Sequence, residues 1–365
     1  MVAVKDIAKV LDAIAPPDLQ ESWDNAGLIA GRPEQEVSGV LVCLDITPPV
    51  VDEARNLGFN MIVSHHPPVF KGLKKFTGPS LAEQVIVKAI RNDIALFSAH
   101  TNLDAIIDGV NGKIADRLDL ANRKVLVPGS GDLMKLVCYV PQGYAEVVSE
   151  AIFRAGAGTI GKYDHCSFQV SGTGTFKAGE GTHPFAGSVG ELNREPEIRL
   201  ETVLPGYLGK RVVDAMIGAH PYEEVAFDLY PLRNVNPVHG FGLTGELPDE
   251  TTAGEFLERL KQLFGTPVIR HSAFPGSPIR KIAVCGGSGS EYLSLAFARG
   301  CDAFVTSDIK YHQWFEVPES MLVADVGHYE SEQFAMITLR DSLIENFPNF
   351  AVRLTEVNTN PIYYY

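Results

Sequence analysis

The stretch Asn60-Met61-Ile62-Val63-Ser64-His65-His66-Pro67-Pro68 carries an unbroken apolar run into two histidines and two prolines. A strand without polar alternation is one buried on both faces, as in a parallel sheet covered by helices. Working outward, the same grammar repeats. Upstream, residues 39–46 form a second continuous apolar run, and 48–58 open on prolines and stop at Gly58, the punctuation of a helix. Helix-period apolar residues occupy 5–14, 81–93 and 110–120, and a third buried strand is predicted over 94–100. Strands alternating with helices of this length imply a mostly parallel sheet with helices packed on it.

The last third keeps that rhythm. Helices are predicted over 252–265, 291–300 and 330–347, and strands over 281–285, 302–308 and 321–327. The outer thirds therefore read as two halves of one α/β layer. Between them the pattern shortens. A strand over 133–141, a helix near 144–155, two Gly- and Thr-rich strand-like stretches, a helix around 208–218 and a strand over 225–232 give the order β-α-β-β-α-β, the ferredoxin-like pattern. Residues 127–132 and 233–242 bracket it with the Pro, Gly and Asn content of loops. The expected organisation is a discontinuous α/β domain, 1–129 with 236–365, and an inserted ferredoxin-like α+β domain, 130–235.

Composition sets the outer limits. With 365 residues, 45% hydrophobic and 21% charged, the chain is globular in character. No apolar run approaches the ~18 residues a membrane span needs. Lys5, Asp6, Lys9 and Asp12 interrupt the first apolar segment, so it reads as an amphipathic helix and not a secretory signal, and the expected location is the cytoplasm. A net charge of −14 argues against generic binding to nucleic acid. Five cysteines without a CxxC spacing fit neither a disulfide framework nor a Cys-rich zinc site.

Three segments concentrate the chemistry. Open α/β sheets place ligands at the carboxyl ends of their strands, where His65 and His66 stand. They could instead be surface histidines closing a strand. Ser98-Ala99-His100-Thr101-Asn102-Leu103-Asp104 brings a further histidine and a carboxylate to the same edge, although Asp104 could cap a helix. In Asp325-Val326-Gly327-His328-Tyr329-Glu330-Ser331-Glu332, His328 and Glu332 share a helix face at i and i+4. Glu330 and Glu332 could serve the helix dipole, but a cationic histidine at a helix start does not fit that account. His65, His66, Asp104, His328 and Glu332 are the candidate metal ligands, with His100 a possible sixth group. Mixed imidazole and carboxylate donors suit Zn, Fe, Mn or Co. Five donors exceed one tetrahedral ion and suit two ions about 3.5–4 Å apart with a bridging carboxylate.

These segments, with Ser22-Trp23-Asp24-Asn25-Ala26-Gly27-Leu28 and Thr306-Ser307-Asp308-Ile309-Lys310-Tyr311-His312, resemble the motifs of the GTP cyclohydrolase 1 type 2 homologue family, the Nif-three-like proteins. The resemblance runs along essentially the whole chain and shows no departure in the ligand set. It implies a dinuclear metal site on His65, His66, Asp104, His328 and Glu332, with Glu332 bridging. It also implies a toroidal homohexamer whose metal sites face an internal cavity. Gly181-Thr182-His183-Pro184-Phe185-Ala186-Gly187 and His220-Pro221-Tyr222-Glu223-Glu224 match the CutA/PII-like insert of the long bacterial members.

Weaker signals surround these. Trp23 reads as core, with Asp24 or Asn25 a turn or cap, or as polar groups near the metals. Gly286-Gly287-Ser288-Gly289-Ser290 joins a strand to a helix and is either an anion-binding loop or a tight turn. His312 could move protons or stand partly exposed on a helix. His183, His220 and Glu223 could hold an extra metal or line a channel, or could belong to turns. The leading expectation is a metal-dependent hydrolase for a nucleotide or other phosphorylated small molecule, with His100 or His312 in proton transfer. The alternative is a metal-handling or ligand-sensing protein without turnover.

Overall fold

The strand Val40–Cys43 shows why the apolar runs do not alternate. Val40 and Val42 enter one core with Met61, Val63 and Phe97, while Leu41 and Cys43 enter another with Ile62 and Leu96. Both faces are covered, so every position is apolar. Each buried Val or Leu contributes about 1.5–3 kcal/mol.

The structure is a computed structural model describing residues 1–130 and 132–365. The chain folds as two compact units, Met1–Pro128 with Pro237–Tyr365, and Gly129–Asn236.

The first unit is α/β with two sheets. One runs in the order Gly27–Ala30, Ala95–Ser98, Met61–Ser64, Val40–Cys43, Val352–Leu354, parallel except for the antiparallel first strand. The other runs Arg270–His271, Leu322–Asp325, Ala303–Thr306, Ile279–Val284, Val235–Thr251, Ala121–Ser130, with its three central strands parallel. A shared core lines both sheets, joining Val40, Met61 and Phe97 to Ile282, Val305 and Leu322. Helices enter it through spaced apolar residues: Val4, Ile7 and Leu11 from Val4–Ile14, and Phe334, Leu339 and Leu343 from Phe334–Asn346. The helix Ala253–Phe264 has Thr252 and Glu255 as reciprocal caps and ends on Gly265 with φ 64°. Among the described residues no helix is long and apolar enough to cross a membrane. All five cysteines are free.

The second unit follows the order Leu133–Pro141, Ala145–Arg154, Ser167–Lys177, Leu192–Pro205, Gly209–Ala219, Phe227–Pro231. Its four strands form one antiparallel sheet, Ser167–Lys177 at one edge and Phe227–Pro231 at the other. The helices bury Val148, Ile152, Val212 and Met216 against Leu136, Cys138, Leu200 and Leu204 of one sheet face.

Two stretches expected to be loops are strands. Residues 127–130 belong to Ala121–Ser130, and 235–242 to Val235–Thr251; Gly131 lies outside the described residues. The glycines there mark close approach rather than a break: a Cβ on Gly240 would meet the Val127 carbonyl oxygen at 2.0 Å. The long helix expected over 330–347 is also two, His328–Glu332 and Phe334–Asn346.

Candidate metal centre

The parallel ladder continues past Ser64, with the His65 N–H donating to the Cys43 carbonyl at 3.2 Å and the His66 N–H to the Leu44 carbonyl at 2.9 Å. Pro67 and Pro68, which have no N–H to donate, follow directly. His65 is fully buried and His66 half-buried, their rings 4.9 Å apart. His100 follows Ala95–Ser98 on the neighbouring strand, and its ring lies 5.2 and 5.3 Å from those of His65 and His66. His328 and Glu332 come from the short helix after Leu322–Asp325. Every one of these residues stands at the carboxyl end of a parallel strand or just beyond it.

Each imidazole is oriented through Nδ1. The His65 Nδ1 donates to the Ala99 carbonyl at 2.8 Å. The Nδ1 atoms of His66, His100 and His328 meet Asp45, Asp24 and Asp308 carboxylates at 2.8, 2.8 and 2.6 Å. Such pairing fixes the tautomer and leaves Nε2 as the exposed donor face, the arrangement typical of metal-binding histidines. Asp308 adopts φ 56°, in the left-handed region that Asp enters more readily than most side chains. The buried Asp325 carboxylate accepts the Ile309 N–H at 3.1 Å and the Gly327 N–H at 3.2 Å, so it shapes both strand-end turns.

Glu332, 3% exposed, is the meeting point. His66 Nε2 and His328 Nε2 lie 2.8 and 2.9 Å from its Oε2, and His65 Nε2 lies 3.9 Å from Oε1 and 3.6 Å from Asp104 Oδ1. His65 Nε2, whose carboxylate contacts are too long for a hydrogen bond, and Glu332 Oε2 are buried without a hydrogen-bond partner. Buried electron-pair donors left without a hydrogen bond in one cluster are what a cation would satisfy. Three sets of ligand atoms each fall within 4.8 Å of one another and could hold a metal ion: His65, His66 and His100; His66, His328 and Glu332; and His65, Asp104 and Glu332. Among the described residues no other such group occurs.

The electrostatics agree with this packing. Burial pushes the Asp104 carboxyl up, against the pull of His65. Burial also opposes charge on Glu332, but His328, His65 and His66 outweigh it and hold that carboxyl well below its usual range. Despite burial, Asp45 and Glu332 hold His66 up to about 10, and Asp308 and Glu332 hold His328 up to about 11.

A cavity of about 820 Å³ opens beside the cluster, bounded by Trp23, Phe70, His100, Asp104, Ser288 and Tyr292. Trp23 is 58% exposed, its ring 6.0 Å from His100 and 6.4 Å from Phe70, so it walls the cavity and is not core. Asp24 is neither a simple turn nor a cap: besides His100 it accepts from the Thr101 N–H and hydroxyl. The 286–290 loop is a turn with internally committed amides. The N–H groups of Gly286, Gly287 and Gly289 donate to Asn111, Ser331 and Thr306 side chains, which removes them as anion donors. Glu330 is tied to Asn360 and Tyr364.

His312 is not brought to this cavity. It stands exposed on the turn Tyr311–Glu316, stacked edge-on with Tyr311 at 5.3 Å. His220 has both ring nitrogens engaged, Nε2 with the Tyr139 carbonyl and Nδ1 with the Tyr222 N–H, while Glu223 accepts the His183 N–H. The sequence reading gave no role to Asp45 or, beyond its place in a family motif, to Asp308. The signal was there, since each stands two residues past the end of a buried strand at the carboxyl edge.

Residues 2–361 match the family model described as Duf34/NIF3 (NGG1p interacting factor 3). The chain belongs to the DUF34/NIF3 family. A Bacillus subtilis relative called GTP cyclohydrolase 1 type 2 homolog is 38% identical over 362 residues, covering 98% of this chain and 97% of the relative. One of the same name from Halalkalibacterium halodurans is 40% identical over 328 residues, 88% and 87% of the two chains. A solved Bacillus cereus protein related to NIF3 superposes with a TM-score of 0.87 at 36% identity, covering 100% of this chain and 99% of the other. The DUF34/NIF3 assignment therefore spans both units.

Proposed function

We propose that this cluster holds two divalent transition-metal ions, Zn, Fe, Mn or Co, and that the chain is a metal-dependent hydrolase of a nucleotide or other phosphorylated small molecule. The observation that carries the reading is the sharing of Glu332 between the groups His66–His328 and His65–Asp104. One carboxylate common to two donor sets is the arrangement a bridged ion pair requires. When bound, such ions supply Lewis acidity and acidify coordinated water. The chain's own part is positional. Ala99, Asp45 and Asp308 aim three Nε2 atoms at the centre, and the Asp24–His100 pair presents a fourth beside the cavity, placed to take or give a proton. His100 is thus the candidate for proton transfer; the placement of His312 does not support that role within one chain. The name GTP cyclohydrolase 1 type 2 homolog, borne by the relatives, favours a purine nucleotide among the substrates.

Two further elements belong to this reading. The Gly129–Asn236 unit is an inserted ferredoxin-like domain, on the strength of its β-α-β-β-α-β order. The assembly is a homohexamer, as the family resemblance implies, and light scattering on a sizing column tests it. For the activity, metal-loaded protein is incubated with nucleotides, phosphate esters and cyclic purine derivatives and read by mass spectrometry. Product that disappears with chelator is expected. Intact metal content with unchanged substrate in every reaction would overturn the hydrolase reading and favour a binding protein.

A further inference from the structure

We propose that the Gly129–Asn236 unit carries a small-molecule site of its own, which takes a planar aromatic ligand bearing a protonated amine. The site is a cavity of about 630 Å³, within the range of pockets that enclose metabolite-sized ligands. It lies on the sheet face away from the helices: Glu197 and Arg199 line it, whereas Leu200 and Leu204, of opposite parity on the same strand, enter the helix-packed core.

The walls are aromatic. Tyr222 lies 6.3 Å from Phe176 and 6.0 Å from Phe185, ring centre to ring centre. Within them is one buried carboxylate. Glu197 is 8% exposed, and its Oε1 accepts the Tyr222 hydroxyl at 2.9 Å. Burial and Glu197 together push the Tyr222 phenol up, so it remains a donor. Oε2 has no hydrogen-bond partner, and no cation pairs with Glu197, among the described residues. Two cations line the cavity: Arg199 donates through Nε to Glu201 Oε1 at 2.8 Å, and Lys177, exposed, makes no ion pair with Glu197 among the described residues; Lys135 Nζ donates to Glu201 Oε2 at 2.9 Å. Gly174 makes the carboxylate's position possible, since a Cβ there would fall 2.1 Å from Glu197 Oε2.

The site is held ready before any ligand arrives. His220, buried, uses Nε2 on the Tyr139 carbonyl at 3.0 Å and Nδ1 on the Tyr222 N–H at 3.1 Å, which locks the backbone that presents the Tyr222 ring. Preorganisation of this kind reduces the ordering cost of binding. A buried carboxylate with no cation is costly, and aromatic faces attract cations. A ligand with a flat ring and an ammonium group answers both. A neutral ring leaves the charge unmatched, and an aromatic acid meets repulsion.

The test uses the full-length, metal-loaded protein and three probes of nearly one shape: tryptamine, indole and indole-3-acetate, followed by equilibrium dialysis. Saturable tryptamine binding is expected, about tenfold or more tighter than indole, with indole-3-acetate weaker still. Glu197→Gln should weaken tryptamine by about tenfold or more. Tyr222→Phe, which keeps the ring and removes the donor to Glu197, should weaken it by a smaller factor, and it decides the matter if the Gln variant folds poorly. Glu332→Ala should leave tryptamine binding unchanged, which separates this site from the metal centre. Equal binding of tryptamine and indole-3-acetate overturns the proposal. So does loss of binding in Glu332→Ala, or absence of saturable binding by folded protein, the result expected if a second copy of the chain covers this face.

Discussion

Gly287 and Glu332 compete for the same space: a Cβ on Gly287 would stand 1.9 Å from Glu332 Oε1. Gly287 also has φ 63°, a conformation open to glycine and strained for alanine. The strand-end turn after Ile279–Val284 is thus a cradle for the carboxylate that joins the two donor sets. Gly287→Ala should displace Glu332 from His66 and His328 and lose most of the metal, in addition to about 1–2 kcal/mol of backbone strain. Elemental analysis beside a denaturant titration checks both effects. Full metal content in the folded variant would show that the cradle does not position Glu332.

Removing the carboxylate itself separates shared from single donors. Two of the three candidate groups contain Glu332, but only one contains Asp104. Glu332→Ala should therefore purify with almost no metal, whereas Asp104→Ala should retain about one ion of two, in line with a bridging role for Glu332. Equal metal loss in the two variants would contradict that division.

The aspartates behind the histidines should matter nearly as much. Asp45 and Asp308 fix the Nδ1 protons of His66 and His328. Replacing either with Asn keeps the volume and removes the charge, and metal affinity should fall by about 10–100-fold. Competition with a chromogenic chelator measures this. Unchanged affinity would mean that the imidazoles are positioned by packing alone.

Why the sequence did not reveal what these aspartates do is physical. Asp45 precedes Thr47 and the helix Pro48–Asn56, where an acid reads equally well as a helix-start residue. Its value depends on His66, on the next strand, and only the parallel register of Val40–Cys43 with Met61–Ser64 brings them together. The buried strands were legible because covering both faces leaves no polar alternation, a pattern local to four or five residues. Trp23 misled for the converse reason: an apolar side chain reads as core, and nothing local says that the surface beside it stays open as a cavity wall. Residues 235–242 of Val235–Thr251 looked like a loop because Pro237, Gly240 and Gly242 break most strands, whereas here a glycine admits a neighbouring backbone.

Metal removal should loosen the first unit. Without a cation, His65 Nε2 is buried with no hydrogen-bond partner, and Glu332 Oε2 has only the His66 and His328 imidazoles to oppose its charge. A ligand at 100 times its Kd stabilises the state that binds it by about 2.7 kcal/mol. Dialysis against chelator should lower the thermal midpoint by several degrees, and Zn, Mn, Co or Fe should restore it. The restoration should be absent in Glu332→Ala. An identical midpoint with and without metal would show that the cluster binds no ion of consequence.

The Asp24–His100 pair makes a prediction about pH. Burial raises the Asp24 carboxyl, but hydrogen bonds from His100, Thr101 and the Asn25 N–H more than offset it and leave the group well below the usual carboxylate range. A carboxyl whose folded value is depressed contributes stability above its unfolded value, near 3.9, and loses that contribution as pH falls through the folded value. The wild type should therefore exceed Asp24→Asn by about 2 kcal/mol at pH 6–8, the scale of a charge-assisted hydrogen bond, and the gap should begin to narrow below about pH 4 and go on shrinking as pH falls toward the folded value. Chelated protein is used for the denaturant titrations, so that acid release of metal does not enter. At neutral pH, metal-loaded Asp24→Asn should also turn over more slowly than wild type with its metal content intact, because His100 loses the partner that sets its tautomer. A stability gap that stays constant from pH 8 to pH 3 would mean that Asp24 acts through packing and not through its charge.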